Sequence, residues 1–394
     1  MPRQDRRLDR GRLRVGRAAG QKRSWGDHAP PDAADETGYI STMARQQALA
    51  PHASTAHPRV DPVRVWLFAV AALVFVMVSV GGATRLTGSG LSITEWKPIM
   101  GAVPPLSDAA WQEALEKYRQ IPQYQHINKG MSLEAFKRIF WWEWSHRFLA
   151  RFVGVAFLVP FLFFLAMGRI ARPLIPKLVG LFVLGGLQGA IGWYMVASGL
   201  SERISVSQYR LAVHLSLAIV ILAGLLWIAL SLGPRETRSH GLPSFYRRSA
   251  AWIVGLVFLQ IVAGAFVAGL KAGAGYNTWP LMDGRLVPQG LGTMSPWWAN
   301  LFENATTVQF NHRMLAYALV AIVLWHVWSL LARLDGRPVR MSGLALAGAV
   351  LAQVALGIWT LLAQVPLSLG LAHQAGAVTV FGIALWHLHA LRTA

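Results

Sequence analysis

The chain has 394 residues, 54% of them hydrophobic and only 14% charged, a balance too apolar for a soluble protein of this length. It contains no cysteine, which excludes disulfides, thiolate metal sites and thiol nucleophiles. Lys and Arg outnumber Asp and Glu by 37 to 18, a net charge of +19. About half of that excess lies between apolar runs, so it reads as a topology signal rather than a nucleic-acid surface.

Residues 1–62 are rich in Arg, Ala, Pro and Asp and lack sustained apolar periodicity, the composition of a disordered segment. Arg3, Arg6, Arg7, Arg10, Arg12, Arg14 and Arg17 resemble an organelle transit peptide, but Asp5 and Asp9 weaken that reading and Met43 offers a second start. A basic cytoplasmic tail is the expectation. Eight apolar runs follow, at 65–84, 144–167, 174–197, 211–232, 250–270, 312–331, 341–363 and 367–388, each long enough to cross a bilayer. The connections after the second, fourth and sixth runs carry Arg169, Arg172, Lys177, Arg235, Arg238, Arg247, Arg248, Arg333, Arg337 and Arg340. They place both termini in the cytoplasm. The longest opposite connection, 85–138, mixes both signs of charge. Within it Ser107 can cap a short helix whose Trp111, Leu115 and Tyr118 share a face, a helix expected to lie on the outer membrane surface.

The chain repeats itself. Phe140-Trp141-Trp142-Glu143-Trp144-Ser145-His146-Arg147 leads into the second run, and Val308-Gln309-Phe310-Asn311-His312-Arg313 leads into the sixth. The offset is 312 − 146 = 166 for the histidines and 313 − 147 = 166 for the arginines. One position differs in kind, since Glu143 is matched by neutral Gln309. Gly81-Gly82-Ala83 pairs with Gly264-Ala265, Trp96-Lys97-Pro98 with Trp279-Pro280, Gln188 and Gly192 with Gln353 and Gly357, and His214 with His373. Four spans per copy preserve orientation, so the copies form parallel repeats. The expected fold is an all-α polytopic membrane protein of eight transmembrane helices. They form two tandem pseudo-symmetric four-helix bundles, over 63–235 and 245–394, behind the 1–62 tail.

Ionisable groups at membrane depth are expensive and mark function. His146, His214, His312 and His373 lie near the outer ends of even-numbered spans, two per half, at matching repeat positions. One such histidine is usually a hydrogen-bonded interfacial residue, but four in register suggest ligands. Two imidazoles facing across a four-helix bundle suit axial ligation of haem iron, whereas zinc usually takes three or four ligands. His326, His387 and His389 lack repeat partners and read as interfacial. Gly185, Gly186, Gly189, Gly192, Gly264 and Gly269 either make room for a flat ring or let helices pack closely. Arg147 and Arg313, directly after two of the ligand candidates, either pair with haem propionates or snorkel to the interface. Glu143 either assists proton movement near a reacting centre or pairs with Arg147.

Gly81-Gly82-Ala83-Thr84-Arg85-Leu86-Thr87-Gly88-Ser89-Gly90-Leu91-Ser92, Glu95-Trp96-Lys97-Pro98, Glu143-Trp144-Ser145-His146-Arg147 and Asn311-His312-Arg313 closely resemble the haem A synthase family, in its cysteine-free proteobacterial and mitochondrial branch. The similarity covers about residues 65–391. It implies an oxidoreductase that converts the C8 methyl of haem O to a formyl group by successive hydroxylations, making haem A for terminal oxidases. It also implies substrate haem on His146 and His214, a haem b cofactor on His312 and His373, and Glu143 as the catalytic candidate. Arg85, Arg147 and Arg313 are the candidate propionate partners. Location in a bacterial inner membrane follows, with the mitochondrial inner membrane as the alternative. Haem O, membrane lipid, haem O synthase, cytochrome oxidase assembly factors and a second copy of the chain are the candidate partners; nucleic acid is not. The rival readings are a di-haem b electron-transfer cytochrome, which needs no Glu/Gln difference between halves, and a repeat-built transporter, which would place its site at the midplane on broken helices.

Overall fold

The computed structural model describes residues 61–97, 99–201, 203–233, 243–333 and 337–393. The 1–62 tail, apart from its last two residues, lies outside them, as do Arg235 and Arg238. The described residues form helices α1 (Pro62–Leu86), α2 (Asp108–Arg119), α3 (Pro122–His126), α4 (Leu133–Ala166), α5 (Ile175–Leu200), α6 (Gln208–Ser231), α7 (Ser244–Gly269), α8 (Ala305–Leu331), α9 (Arg337–Leu362) and α10 (Leu367–Thr393), with short 3₁₀ turns between them. Eight of these, all but α2 and α3, are long and apolar enough to cross a membrane. No extended strand occurs among the described residues.

Local chemistry sets the boundaries. Asp61 caps α1 by accepting from the Val63 N–H at 2.9 Å, with Pro62 in the first turn where its missing N–H costs nothing. Ser132 caps α4 through the Ala135 N–H and Asn304 caps α8 through the Thr307 N–H. Helix α4 therefore begins at Leu133, eleven residues before the start expected from hydropathy at Trp144. Residues 133–143 carry too many charges to read as a span, yet they hold helical geometry and project the second span past the apolar layer.

Helices α1, α4, α5 and α6 pack in a ring, each touching two neighbours in the order α1–α4–α5–α6–α1. Helices α7, α8, α9 and α10 repeat that order. The rings meet through α6 against α7, α10 against α1, and α6 against α10. Lipid tails are as apolar as leucine, so close packing and interhelical hydrogen bonds hold such an interior rather than exclusion of water. Leu67, Ile219, Ile253, Val323 and Leu346 are completely buried in one continuous core. The Trp66 indole N–H donates to the Ala156 carbonyl at 2.9 Å, and Gln374 Nε2 reaches from α10 to the Val78 carbonyl at 2.6 Å.

Beyond the spans a second cluster forms, and here water exclusion does operate. Trp111, Leu115 and Tyr118 of α2 bury their shared face against Phe136 and Phe140 of α4, with Leu91, Val196 and Val206 around them. The capped, one-sided helix is as expected, with Ser107 accepting from the Ala110 N–H at 3.2 Å. Its apolar face is turned against protein, because the projecting turns of α4 supply a surface for it. Burying each such side chain contributes about 1.5–3 kcal/mol. Gln123 locks the segment by donating to the Gly88 carbonyl and accepting from the Tyr118 hydroxyl.

Candidate functional site

His146 on α4 and His214 on α6 occupy diagonal helices of the first ring, and His312 on α8 and His373 on α10 occupy the diagonals of the second. Each histidine faces a glycine on a neighbouring helix. A Cβ added at Gly81 would stand 3.0 Å from His146, at Gly192 2.9 Å from His214, at Gly264 3.3 Å from His312 and at Gly357 2.7 Å from His373. The glycines are therefore needed for the ring approach at four matched places. Gly185, Gly186 and Gly189, which looked equivalent in sequence, face open space, and Gly269 meets Gln208 of the other ring.

Three of the histidines are also held by a glutamine one turn before the facing glycine. Gln188 Nε2 donates to the His214 carbonyl at 3.0 Å and lies 3.4 Å from its ring Nε2. Gln260 Nε2 donates to the His312 carbonyl at 3.1 Å and lies 3.1 Å from ring Nδ1. Gln353 Nε2 donates to the His373 carbonyl at 2.7 Å and lies 3.0 Å from ring Nδ1. Gln188 and Gln353 were visible in the repeat; Gln260 was missed, although its four-residue spacing to Gly264 repeats theirs.

The buried Oε1 atoms of all three glutamines, and Nδ1 of His214, have no hydrogen-bond partner among the described residues. Orphaned polar atoms beside four glycine-backed imidazoles, two per ring on opposed helices, fit a planar group ligated from both faces. No cluster of three or more His, Cys, Asp or Glu able to hold a bare metal ion exists among the described residues.

Glu143 and Arg147 fasten the chain that leaves α1. The Glu143 carboxylate is buried and accepts four hydrogen bonds: from Arg147 Nη2 at 2.6 Å and Nε at 3.1 Å, from the Ser92 hydroxyl at 2.8 Å and from the Ile93 N–H at 2.8 Å. Arg147 also donates to the Ile93 carbonyl at 2.7 Å and the Glu95 carbonyl at 2.9 Å. The second half repeats the device: Arg313 donates to the Tyr276 and Thr278 carbonyls at 2.8 and 2.9 Å. The repeat offset matches, 276 − 93 = 183 and 278 − 95 = 183. At the matching backbone the polarity is reversed, because Gln309 Nε2 donates to the Tyr276 carbonyl at 3.0 Å.

These bonds give Arg147 and Arg313 a task that neither expectation named, clamping the loops that follow α1 and α7. Arg85 donates to the Ala268 and Gly269 carbonyls and so joins the C-terminal ends of α1 and α7. In the loop itself Lys117 and Lys97 hold the Glu95 carboxyl below the usual carboxylate range. Under this segment lies a cavity of about 290 Å³ lined by Glu95, Trp144 and Arg147 and reached by none of the four histidines.

His326 and His387 are not interfacial. Both are completely buried, and their Nε2 atoms lie 2.9 Å apart. The Nδ1 atoms sit 2.8 Å from the hydroxyls of Ser249 and Ser342 respectively. They fall on the face of the ring ligand candidates, since 326 − 312 = 14 and 387 − 373 = 14, close to four helical turns. At 2.9 Å between nitrogens no porphyrin fits between them; the chain Ser249–His326–His387–Ser342 is a closed hydrogen-bonded unit. His389 is half-buried against Trp227.

Residues 64–385 match the cytochrome oxidase assembly protein family, COX15-CtaA. A Heme A synthase from Parvibaculum lavamentivorans is 57% identical over 326 residues, covering 83% of this chain and 93% of its own length. One from Azorhizobium caulinodans is 58% identical over 82% of this chain and 93% of its own. One from Brucella ovis is 51% identical over 90% of this chain and 99% of its own.

Proposed function

The chain belongs to the haem A synthase family of cytochrome oxidase assembly proteins, and from that premise we propose how its two rings divide the work. The protein is an oxidoreductase of haem A biosynthesis: it converts the C8 methyl of haem O to a formyl group by successive hydroxylations. The first ring, with His146 and His214, takes haem O as substrate. The second, with His312 and His373, keeps a haem b. When bound there, haem b supplies one-electron transfer. The observation that carries this reading is the fourfold arrangement of glycine-backed histidines on diagonal helices, repeated at an offset of 166 between His146 and His312.

The protein's own groups bind, orient and enclose. Glu143 anchors the 92–95 loop above His146, so its contribution to the oxidation begins as positioning. The proton-handling role expected of it would run through the Ser92 hydroxyl, the one neutral O–H on that carboxylate. Arg85 and Arg313, each with a buried Nε that has no partner among the described residues, are better placed for a propionate than Arg147, whose Nε is taken by Glu143. Haem O synthase and oxidase assembly factors are the proposed partners, and the membrane is the bacterial inner membrane with both termini cytoplasmic. On that topology a periplasm-active reporter fused after Gly290 is active and one after Gly336 silent; the reverse pattern inverts the orientation.

Extracting haem from protein made with and without a co-expressed haem O synthase tests the division. The expected result is haem b alone without it, and haem b plus haem O or haem A with it. Two equivalents of haem b under both conditions would instead make the protein a di-haem b electron carrier.

A further inference from the structure

Three of the four histidines are held by a glutamine, and one is not. Gln188, Gln260 and Gln353 each stand four residues before the glycine that faces the ring: 192 − 188, 264 − 260 and 357 − 353 are all 4. Each ties its amide to the histidine's backbone carbonyl and lies within 3.4 Å of a ring nitrogen. Gly81 faces His146 in the same way, yet four residues earlier stands Met77. The repeat confirms the equivalence, since 264 − 81 = 183 and 260 − 77 = 183. Methionine has no N–H to donate, and its three rotatable bonds adapt to whatever lies beside them. No hydrogen bond reaches the His146 ring among the described residues, and the ring stands where a Cβ on Gly81 would meet it.

We infer that Met77 makes His146 the releasable ligand of the substrate site. The inference rests on the assignment of His146 and His214 to exchanging haem and of His312 and His373 to resident haem. A resident group is best served by two imidazoles whose orientation is fixed before it arrives, because no ordering entropy is then lost on ligation. A substrate that must leave as product needs at least one ligand without that advantage. The distribution follows this requirement: two clamps on the resident side, one clamp and one thioether on the exchanging side. Met77 is thus a positioning residue that sets exchange rate and touches neither the methyl nor its oxidation.

The test is haem transfer from the detergent-purified, haem-loaded full-length protein to excess apomyoglobin, followed by absorbance. The wild type is expected to lose haem in a fast phase from the first ring and a slow phase from the second. Met77→Gln should slow the fast phase about five- to tenfold, the scale of one net hydrogen bond, and leave the slow phase alone. Gln260→Met should do the opposite, speeding the slow phase by about the same factor while the fast phase is unchanged. Because the two variants are expected to move different phases in opposite directions, a general loss of folding cannot imitate the result. Unchanged rates in both variants would overturn the inference, provided His312→Ala abolishes the slow phase. A slow phase that survives His312→Ala would instead overturn the ligand assignment beneath it.

Discussion

The two loop clamps each use an arginine at the same repeat position, with opposite partners beside it. In the first half every atom facing the position-143 side chain is a donor, namely two guanidinium nitrogens of Arg147, the Ser92 hydroxyl and the Ile93 N–H. In the second half the position-309 side chain faces the Tyr276 carbonyl, an acceptor. Glutamate and glutamine are therefore each matched to the polarity of the backbone they hold. Part of the asymmetry that sequence alone suggested to be chemical is architectural: a carboxylate fits one loop and an amide the other. What distinguishes the halves chemically lies deeper, at Met77 against Gln260 and in the buried His326–His387 pair, for which the first half has Pro160 and Ile228 at the corresponding fourteen-residue steps (146 + 14 and 214 + 14).

Exchanging the clamps tests that difference most severely. Glu143→Gln would turn an amide NH₂ toward a ring of donors, leaving at least one buried group unsatisfied and the 92–95 loop loosened over His146. If Glu143 also moves protons, losing that help typically costs about 10² to 10⁴ in rate. Haem A formation should fall by that order while haem b content, measured by pyridine haemochrome, stays near normal. Near-normal haem A would leave Glu143 as an ion-pair partner only. Gln309→Glu places a carboxylate against the Tyr276 carbonyl and should lower haem b retention without creating a second oxidising site.

A smaller effect is expected from the segment that packs over the first ring. Shortening 111–118 removes Trp111, Leu115 and Tyr118 from the cluster on Phe136 and Phe140. Haem A yield should drop more than haem b content, because that cluster buttresses the projecting turns of α4 that carry Glu143. Equal loss of both pigments would mean that the segment serves folding in general.

The smallest effect concerns the histidine pair. His387→Leu leaves His326 and Ser342 buried without their partner, at a cost of about 1–3 kcal/mol, read as a lower thermal midpoint in detergent. The double change with His326→Leu should cost less than the single one, since replacing both members by apolar groups removes the unsatisfied nitrogen. A double variant worse than the single would mean that the pair contributes more than its hydrogen bond.

Much of this was legible in the sequence because membrane burial writes itself in composition. The eight spans and the recurring order of helix contacts follow from apolar length and from motifs recurring at fixed offsets. The start of α4 was hidden because residues 133–143 are helical but charged, and hydropathy sees only the lipid-facing part of a helix. The seat of α2 was hidden for the same reason, since its partner surface is that projection. His326 and His387 read as interfacial because the sequence gives depth along each helix but not which residue on another helix stands opposite. The role of Arg147 and Arg313 depended on backbone carbonyls, which no side-chain pattern reveals.

The central claim is that one ring keeps its haem and the other exchanges it. The most direct measurement is the pigment extracted from His146→Ala and from His312→Ala, each made with a haem O supply. The account predicts that His312→Ala loses haem b, while His146→Ala keeps haem b and loses haem O and haem A. Loss of the same pigment from both variants would contradict it.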